Sequence, residues 1–114
     1  MQITDDLRNK TVEELKELKR KLFSSTVQLW FENNGTIKEQ DDFNTRRIQL
    51  SVKISELDTI RIEKIADELK KNNLDFQQAI KDLSTTIKSI NSVIDTLSQL
   101  STLTKIIGNI ISIV

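Results

Sequence analysis

The scarcity of helix-breaking residues most limits what this chain can fold into. Its 114 residues include no proline and two glycines, Gly35 and Gly108. Proline and glycine are the residues that most often end a helix or turn the chain. Apolar residues recur at intervals of three and four along most of the sequence, which is the repeat of one face of an α-helix. We therefore predict an all-α fold, with residues 1–114 forming a single helical domain.

Local signals divide this domain into three predicted helices, at about residues 11–33, 37–71 and 75–113. Thr11 and Glu14 have the spacing of a capping box, which predicts that the first helix begins at Thr11. The sequence Asn33-Asn34-Gly35 predicts its end, because Asn and Gly readily adopt the left-handed conformation found there. The second helix is then predicted to begin near Thr36 to Lys38, so that the first two helices form an antiparallel hairpin.

The boundary between the second and third helices is open. The segment Asn72–Leu74, followed by a capping pattern at Asp75 and Gln78, favours a break. The apolar repeat, however, continues backward through Asn73 to Ile62 without a change of phase, which favours one uninterrupted helix. A third helix over 75–113 would be roughly 60 Å long, and an uninterrupted one would exceed roughly 100 Å. Neither could be buried within so small a monomer.

The third helix carries the most regular apolar repeat, with the steps of four and three that are typical of a coiled coil. We therefore predict that this long C-terminal helix packs in a three-helix bundle or a coiled-coil assembly. Its expected partner is a second copy of the chain, giving a homo-oligomer, or a helical protein partner. The candidate interface residues are Phe76, Ile80, Leu83, Ile87, Ile90, Ile94, Leu97, Leu103, Ile107, Ile110, Ile111 and Val114.

The segment from Ile106 to Val114 gathers its apolar residues into one wide arc. Such an arc is expected to be buried in the chain's own core or in that of an oligomer, but a partner groove or a membrane surface would also cover it. A membrane-active protein that uses this segment is thus one alternative function. The apolar stretch is shorter than a spanning helix requires, and the N-terminus lacks the pattern of a signal peptide, so we expect a cytoplasmic protein without a transmembrane helix.

The composition removes most catalytic chemistry. The chain has no His, Cys or Tyr, which are the common general bases, nucleophiles and metal ligands. Two isolated glycines cannot build a phosphate-binding loop or a dinucleotide fingerprint. We therefore expect no enzymatic activity, no catalytic residues, no metal, no cofactor and no small-molecule substrate.

Charge gives two further expectations. Lys and Arg number 17, as do Asp and Glu, so no global electrostatic attraction to nucleic acid is expected. The compact basic groups, Lys19-Arg20-Lys21 and Arg46-Arg47, are interrupted by acidic residues, which argues against a nucleic-acid site. Trp30 is a candidate anchor for a partner, since tryptophan is enriched at binding hot spots; the alternative, which the sequence favours, is that it closes the end of the helical hairpin.

The first half of the chain resembles the two-helix protein of the large ribosomal subunit known as family twenty-nine. The resemblance is carried by Leu7–Leu15, Lys21-Leu22-Phe23, Gly35, Arg46-Arg47-Ile48, Lys53 and Leu57. It implies an antiparallel helical hairpin and, as a second alternative function, a ribosome- or RNA-associated role. The favoured interpretation remains a non-enzymatic helical interaction module that self-associates or docks a partner through its C-terminal helix.

Overall fold

A computed structural model describes the backbone of residues 2–112 and the side chains of residues 5–112. Within these residues the chain forms five α-helices: α1 (Gln2–Leu22), α2 (Ser25–Asn34), α3 (Ile37–Thr59), α4 (Ile62–Lys88) and α5 (Val93–Ile111). No strand occurs between residues 2 and 112, so the predicted all-α fold class is confirmed. The boundaries differ from the predicted ones at several points.

The first helix begins earlier and ends earlier than predicted. It runs through Thr11, which is fully buried and whose hydroxyl accepts a hydrogen bond from Gln77 Nε2 of α4 at 3.1 Å. The predicted capping box at Thr11 is therefore wrong, because the residues before it continue the helix. α1 ends at Leu22, and Ser24 caps a separate helix, accepting a hydrogen bond from the amide of Val27 at 3.4 Å.

The joint between α2 and α3 lies where the sequence predicts it. Thr36 and Glu39 form a capping box: the Thr36 hydroxyl accepts from the Glu39 amide at 3.1 Å, and the Glu39 carboxylate accepts from the Thr36 amide at 2.8 Å. Gly35 does not adopt the expected left-handed conformation, since its φ is −100°. Its small size matters instead, because a Cβ at this position would lie 3.0 Å from the carbonyl oxygen of Phe31.

The second and third predicted helices are divided at other places. α3 ends at Thr59 rather than near residue 71, although no glycine or proline is nearby. Carbonyl groups at a helix end need hydrogen-bond donors, and Arg8 of α1 supplies them: its Nη1 donates to the carbonyl of Ile60 at 2.7 Å. The predicted break at Asn72–Leu74 is absent: α4 is continuous there, and the side-chain Nδ2 of Asn72 donates to the carbonyl of Glu68 at 2.8 Å.

A break at residues 89–92 replaces the long C-terminal helix of the prediction. There Ser92 begins α5 by accepting a hydrogen bond from the Asp95 amide at 3.1 Å. A connection of four residues between two packed helices makes α4 and α5 antiparallel neighbours. The molecule measures 46 × 22 × 20 Å, shorter than the roughly 60 Å expected for an unbroken helix over 75–113.

The four longer helices pack so that α1 and α5 each contact both α3 and α4. α1 and α3 run antiparallel, since Arg8 near the start of α1 reaches Ile60 and Arg47 of α3 reaches the carbonyl of Leu22. One cluster of buried apolar side chains fills the space between the helices, with Phe31, Phe43 and Phe76 as its largest members. The short α2 packs against α1 and α3.

Candidate interaction surfaces

Most of the predicted interface residues lie in the chain's own core. We call the apolar repeat predicted for the third helix, from Phe76 to Val114, the seam. Because the chain turns at residues 89–92, the two halves of the seam belong to α4 and α5, which pack against each other. This corrects the expectation of one continuous association surface. The following residues are at most 8% exposed: Phe76, Ile80, Leu83, Ile87, Leu97, Leu103, Ile107, Ile110 and Ile111.

The remaining seam residues have three different positions. Ile90 lies in the connection between α4 and α5 and is half-buried against the core. Ile94, in the first turn of α5, is 73% exposed. Val114 lies outside the described residues. Ile94 is thus the one predicted interface residue that the described part of the chain leaves largely in water.

Trp30 and two of the seam residues meet at a groove between α2 and the end of α4. The Trp30 ring is half-buried and packs edge-to-face on Phe31, with the ring centroids 5.1 Å apart. The groove has a volume of about 260 Å³, and Lys88 carries the single charge among the residues that line it. These residues are Thr26, Val27, Trp30, Ile87, Lys88, Ser89 and Ile90. Leu29, next to Trp30, is 55% exposed.

A second groove, of about 480 Å³, separates the exposed edges of α4 and α5. Asp75 and Asp82 give it a negative charge, and no Lys or Arg is among its lining residues. Gln99 also lines this groove, and its Oε1 atom is buried without a hydrogen-bond partner in the described part of the chain. The other lining residues are Asn72, Gln78, Ala79, Thr102, Ile106 and Asn109.

A third groove, of about 430 Å³, lies on the opposite side of α5, next to α3. Its charged residues are basic: Arg46 of α3 and Lys105 of α5. Arg46 donates from Nη1 to the carbonyl of Leu97 at 3.2 Å and to the hydroxyl of Ser101. These bonds fix the position of the Arg46 guanidinium along the axis of α5. Thr102 lines both this groove and the acidic one, so it stands on the crest of α5 between them.

Arg46 and Arg47, the basic pair of the sequence analysis, hold helices together. Arg46 also forms an ion pair with Asp42 at 2.8 Å, and hydrogen bonding from its guanidinium lowers the pKa of the Asp42 carboxyl. Arg47 donates to the carbonyl of Leu22 at 3.1 Å and to Gln28 Oε1 at 2.7 Å. Burial lowers the pKa of Arg47, which remains protonated at neutral pH. An RNA-binding role for this pair would have to compete with these contacts.

The Arg47 guanidinium also lies over two aromatic rings. Its Cζ atom is 4.5 Å from the ring centroid of Phe23 and 4.9 Å from that of Phe43. Such contacts stabilise the cation by about 0.5–1 kcal/mol at exposed sites and by more when desolvated. Arg47 therefore fastens the end of α1 to α3 through both its hydrogen bonds and its stacking.

No cluster of three or more His, Cys, Asp or Glu side chains that could hold a metal occurs in the described residues. In the same part of the chain, none of the helices is both long and apolar enough to cross a bilayer. Comparison of the chain with protein-family models, curated protein sequences and solved structures gives no match. The resemblance to the ribosomal protein family therefore stays a prediction.

Sequence reasoning missed several residues that define the grooves. Asp75 and Asp82 are two helical turns apart and thus on one side of α4, but the sequence pattern indicates a helix cap at Asp75 and no role for Asp82. Lys88 and Thr102 carried no signal of their own. One signal was available: the residues between the stripe positions of the C-terminal half are mostly uncharged Ser, Thr and Asn, a composition that a partner can bury at lower cost than Lys or Glu.

Proposed function

We propose that this chain is a non-enzymatic helical interaction module that binds a protein partner at the groove beside Trp30. One observation carries the proposal: the fold brings the anchor candidate Trp30 together with Ile87 and Ile90 in an open apolar groove. Trp is one of the residue types most enriched at binding hot spots.

The size of the groove favours a protein partner over a small molecule. Its volume of about 260 Å³ is below the range of roughly 300–1,000 Å³ that is usual for small-molecule sites. It has room for a large apolar side chain inserted from outside. An amphipathic helix can present such a side chain from its apolar face.

The charge at the rim indicates which sequence the partner presents. Lys88 lies in the last turn of α4, and within residues 5–112 no ion pair neutralises it. A helical segment with a large apolar residue flanked by Glu or Asp would fill the groove and pair with Lys88. We therefore propose an amphipathic, acidic helix of another protein as the occupant.

Intrinsic fluorescence tests this proposal directly, because Trp30 is the single tryptophan and the chain has no tyrosine. The probe is a synthetic amphipathic helix with Leu flanked by Glu, and its matched control has Lys in place of Glu. We expect the acidic peptide to shift the Trp30 emission to shorter wavelength in a saturable way, while the basic peptide does not. Equal shifts, or no shift with either peptide, would contradict the proposal.

Two variants locate the binding. Ile90→Glu places a carboxylate in the groove and should abolish the shift, whereas Leu74→Glu, on the exposed side of α4, should leave it unchanged. Anionic lipid vesicles added in place of the peptide test the membrane-active alternative with the same readout. We expect no shift with vesicles, because Leu103, Ile107 and Ile110 of the C-terminal segment are buried in the core.

A further inference from the structure

The two large grooves have opposite charge and flank the same helix. α3 and α4 both pack against α5, but they are not among the pairs of helices that pack on each other, so they lie on opposite sides of α5. The acidic groove follows the α4 side with Asp75 and Asp82, and the basic groove follows the α3 side with Arg46 and Lys105. The crest between them carries small or uncharged side chains at Ser98, Thr102 and Asn109, with Lys105 between the last two.

The charges on the two sides also lie at matching levels along α5. The four-residue connection between α4 and α5 sets an antiparallel register that places Asp82 level with Gln99 and Asp75 level with Ile106, all four of which line the acidic groove. On the other side, Arg46 is level with Leu97 and Ser101 through its hydrogen bonds. Asp82 is thus level with Arg46, and Asp75 is level with Lys105.

We propose that the outer face of α5 packs against the same face of a second copy, about a twofold axis parallel to α5. A twofold axis in the contact plane can run along α5 or across it. An axis along α5 places α4 of one copy over α3 of the other, and each residue keeps its position along the helix axis. Asp82 therefore meets Arg46 of the second copy, and Asp75 meets its Lys105. An axis across α5 would place α4 over α4 and oppose the aspartates. Complementary charge therefore selects the parallel arrangement.

Neighbouring charges leave this complementarity in place. Arg46 is paired with Asp42 within its own chain but keeps part of its side chain exposed, and Lys105 has no ion pair within residues 5–112. Asp82 accepts a hydrogen bond at 2.8 Å from the uncharged side chain of Gln78 and forms no ion pair within residues 5–112. The proposed axis places two charges of the crest near their own copies: Asp95, two turns before Thr102, and Lys105, between Thr102 and Asn109. The pairing of Lys105 with Asp75 of the second copy offsets the repulsion between the two lysines.

Single-cysteine variants test the arrangement cleanly, because the natural chain has no cysteine. Thr102→Cys lies at the centre of the face and should form an intermolecular disulfide on mild oxidation. Asn109→Cys should do the same, because an axis along α5 brings residue 109 next to residue 109. Ser55→Cys, on the side of α3 away from Arg46, is the control for random collisions and should cross-link poorly.

An axis across α5 at Thr102 would separate the two copies of residue 109 by roughly 20 Å, given a rise of about 1.5 Å per residue, and a disulfide could not form. Cross-linking of Thr102→Cys without Asn109→Cys would therefore overturn the parallel arrangement. A monomeric mass by light scattering across the full concentration range would overturn the contact itself. The Trp30 proposal is independent of both results, and Ile90→Glu should leave the mass unchanged.

Charge exchange gives a second readout. Asp75→Lys should weaken self-association roughly tenfold, as expected for the loss of two symmetric, exposed ion pairs. Combining it with Lys105→Asp in the same chain should restore association, while Asp95→Asn should strengthen it. Failure of the double variant to recover, with its helical content intact by circular dichroism, would contradict the proposed pairing.

Discussion

Phe31 of α2 and Phe43 of α3 stack face to face, with ring centroids 3.9 Å apart and planes inclined by 6°. Both rings are buried. A ten-residue helix such as α2 is too short to be stable alone in water, so it depends on buried contacts such as this one. The position of Trp30, which follows from that of α2, therefore depends on the stacked pair.

Replacing Phe31 with Ala is expected to lower the free energy of unfolding by about 3–5 kcal/mol, because it removes a buried aromatic side chain and leaves a cavity. Urea denaturation followed by circular dichroism measures the change. Leu29→Ala, in the same helix but half-exposed, should cost far less. Similar losses for the two variants would mean that the stacked pair does not anchor α2.

The two glycines should respond in opposite directions to alanine. Gly108 lies within α5, where an added Cβ meets nothing within 4 Å, so Gly108→Ala should stabilise the protein by about 0.5–1 kcal/mol through helix propensity. Gly35→Ala should destabilise it, because the new Cβ would press on the backbone oxygen of Phe31 at 3.0 Å. Thermal unfolding of both variants checks this, and a stabilising Gly35→Ala would refute the close approach.

The C-terminal seam should contribute to the stability of each separate chain. Leu103 is fully buried, and Leu103→Ala should lower the free energy of unfolding by about 2–5 kcal/mol. Leu74 is 84% exposed on α4, and Leu74→Ala should change it by less than about 0.5 kcal/mol. Both are measured in urea at low protein concentration. A Leu103→Ala effect that appears only at high concentration would place this residue in an interface instead.

The ion pair of Asp42 with Arg46 predicts an acid-dependent loss of stability. Hydrogen bonding from Arg46 lowers the pKa of Asp42 in the folded state, so folding favours the ionised carboxylate. The resulting stabilisation is present above the unfolded pKa of about 3.9 and disappears as the pH falls through the lower folded pKa. Asp42→Asn should therefore lower the urea midpoint at neutral pH but not in strong acid.

Asp41→Asn provides the matched control for this experiment, because Asp41 is the exposed neighbour of Asp42 and forms no ion pair within residues 5–112. Its urea midpoint should follow that of the natural chain at every pH. If the urea midpoint of Asp42→Asn stays below that of the natural chain by the same amount in strong acid, the Asp42–Arg46 pair is not the cause of the difference.

The fold class and one helix joint could be predicted from sequence because their signals are local. Thr36 and Glu39 cap α3 directly after Gly35, whose lack of a Cβ permits its close approach to the carbonyl oxygen of Phe31. The pair Thr11 and Glu14 has the same spacing but lies inside α1, because the residues before it can continue a helix. A capping pattern is therefore informative when the preceding residues also favour a turn.

The other breaks could not be predicted because distant residues stabilise them. α3 ends where Arg8, some fifty residues earlier in the chain, donates to the carbonyl of Ile60. The turn at residues 89–92 contains neither glycine nor proline, yet it divides the predicted seam and brings Trp30 beside Ile87 and Ile90. Trp30, Ile87 and Ile90 can each be picked out as candidates from the sequence. Their proximity depends on the turn at residues 89–92, which the apolar repeat does not indicate.

The packing order of the helices affects how the chain folds during its synthesis. α3 and α4 are joined by two residues, yet each covers part of its apolar surface with α5, which is translated after both. Until α5 leaves the ribosome, those apolar surfaces remain in water, where a nascent chain is prone to aggregate. A chaperone that captures nascent chains would therefore find its binding sites on α3 and α4, and would lose them when α5 docks.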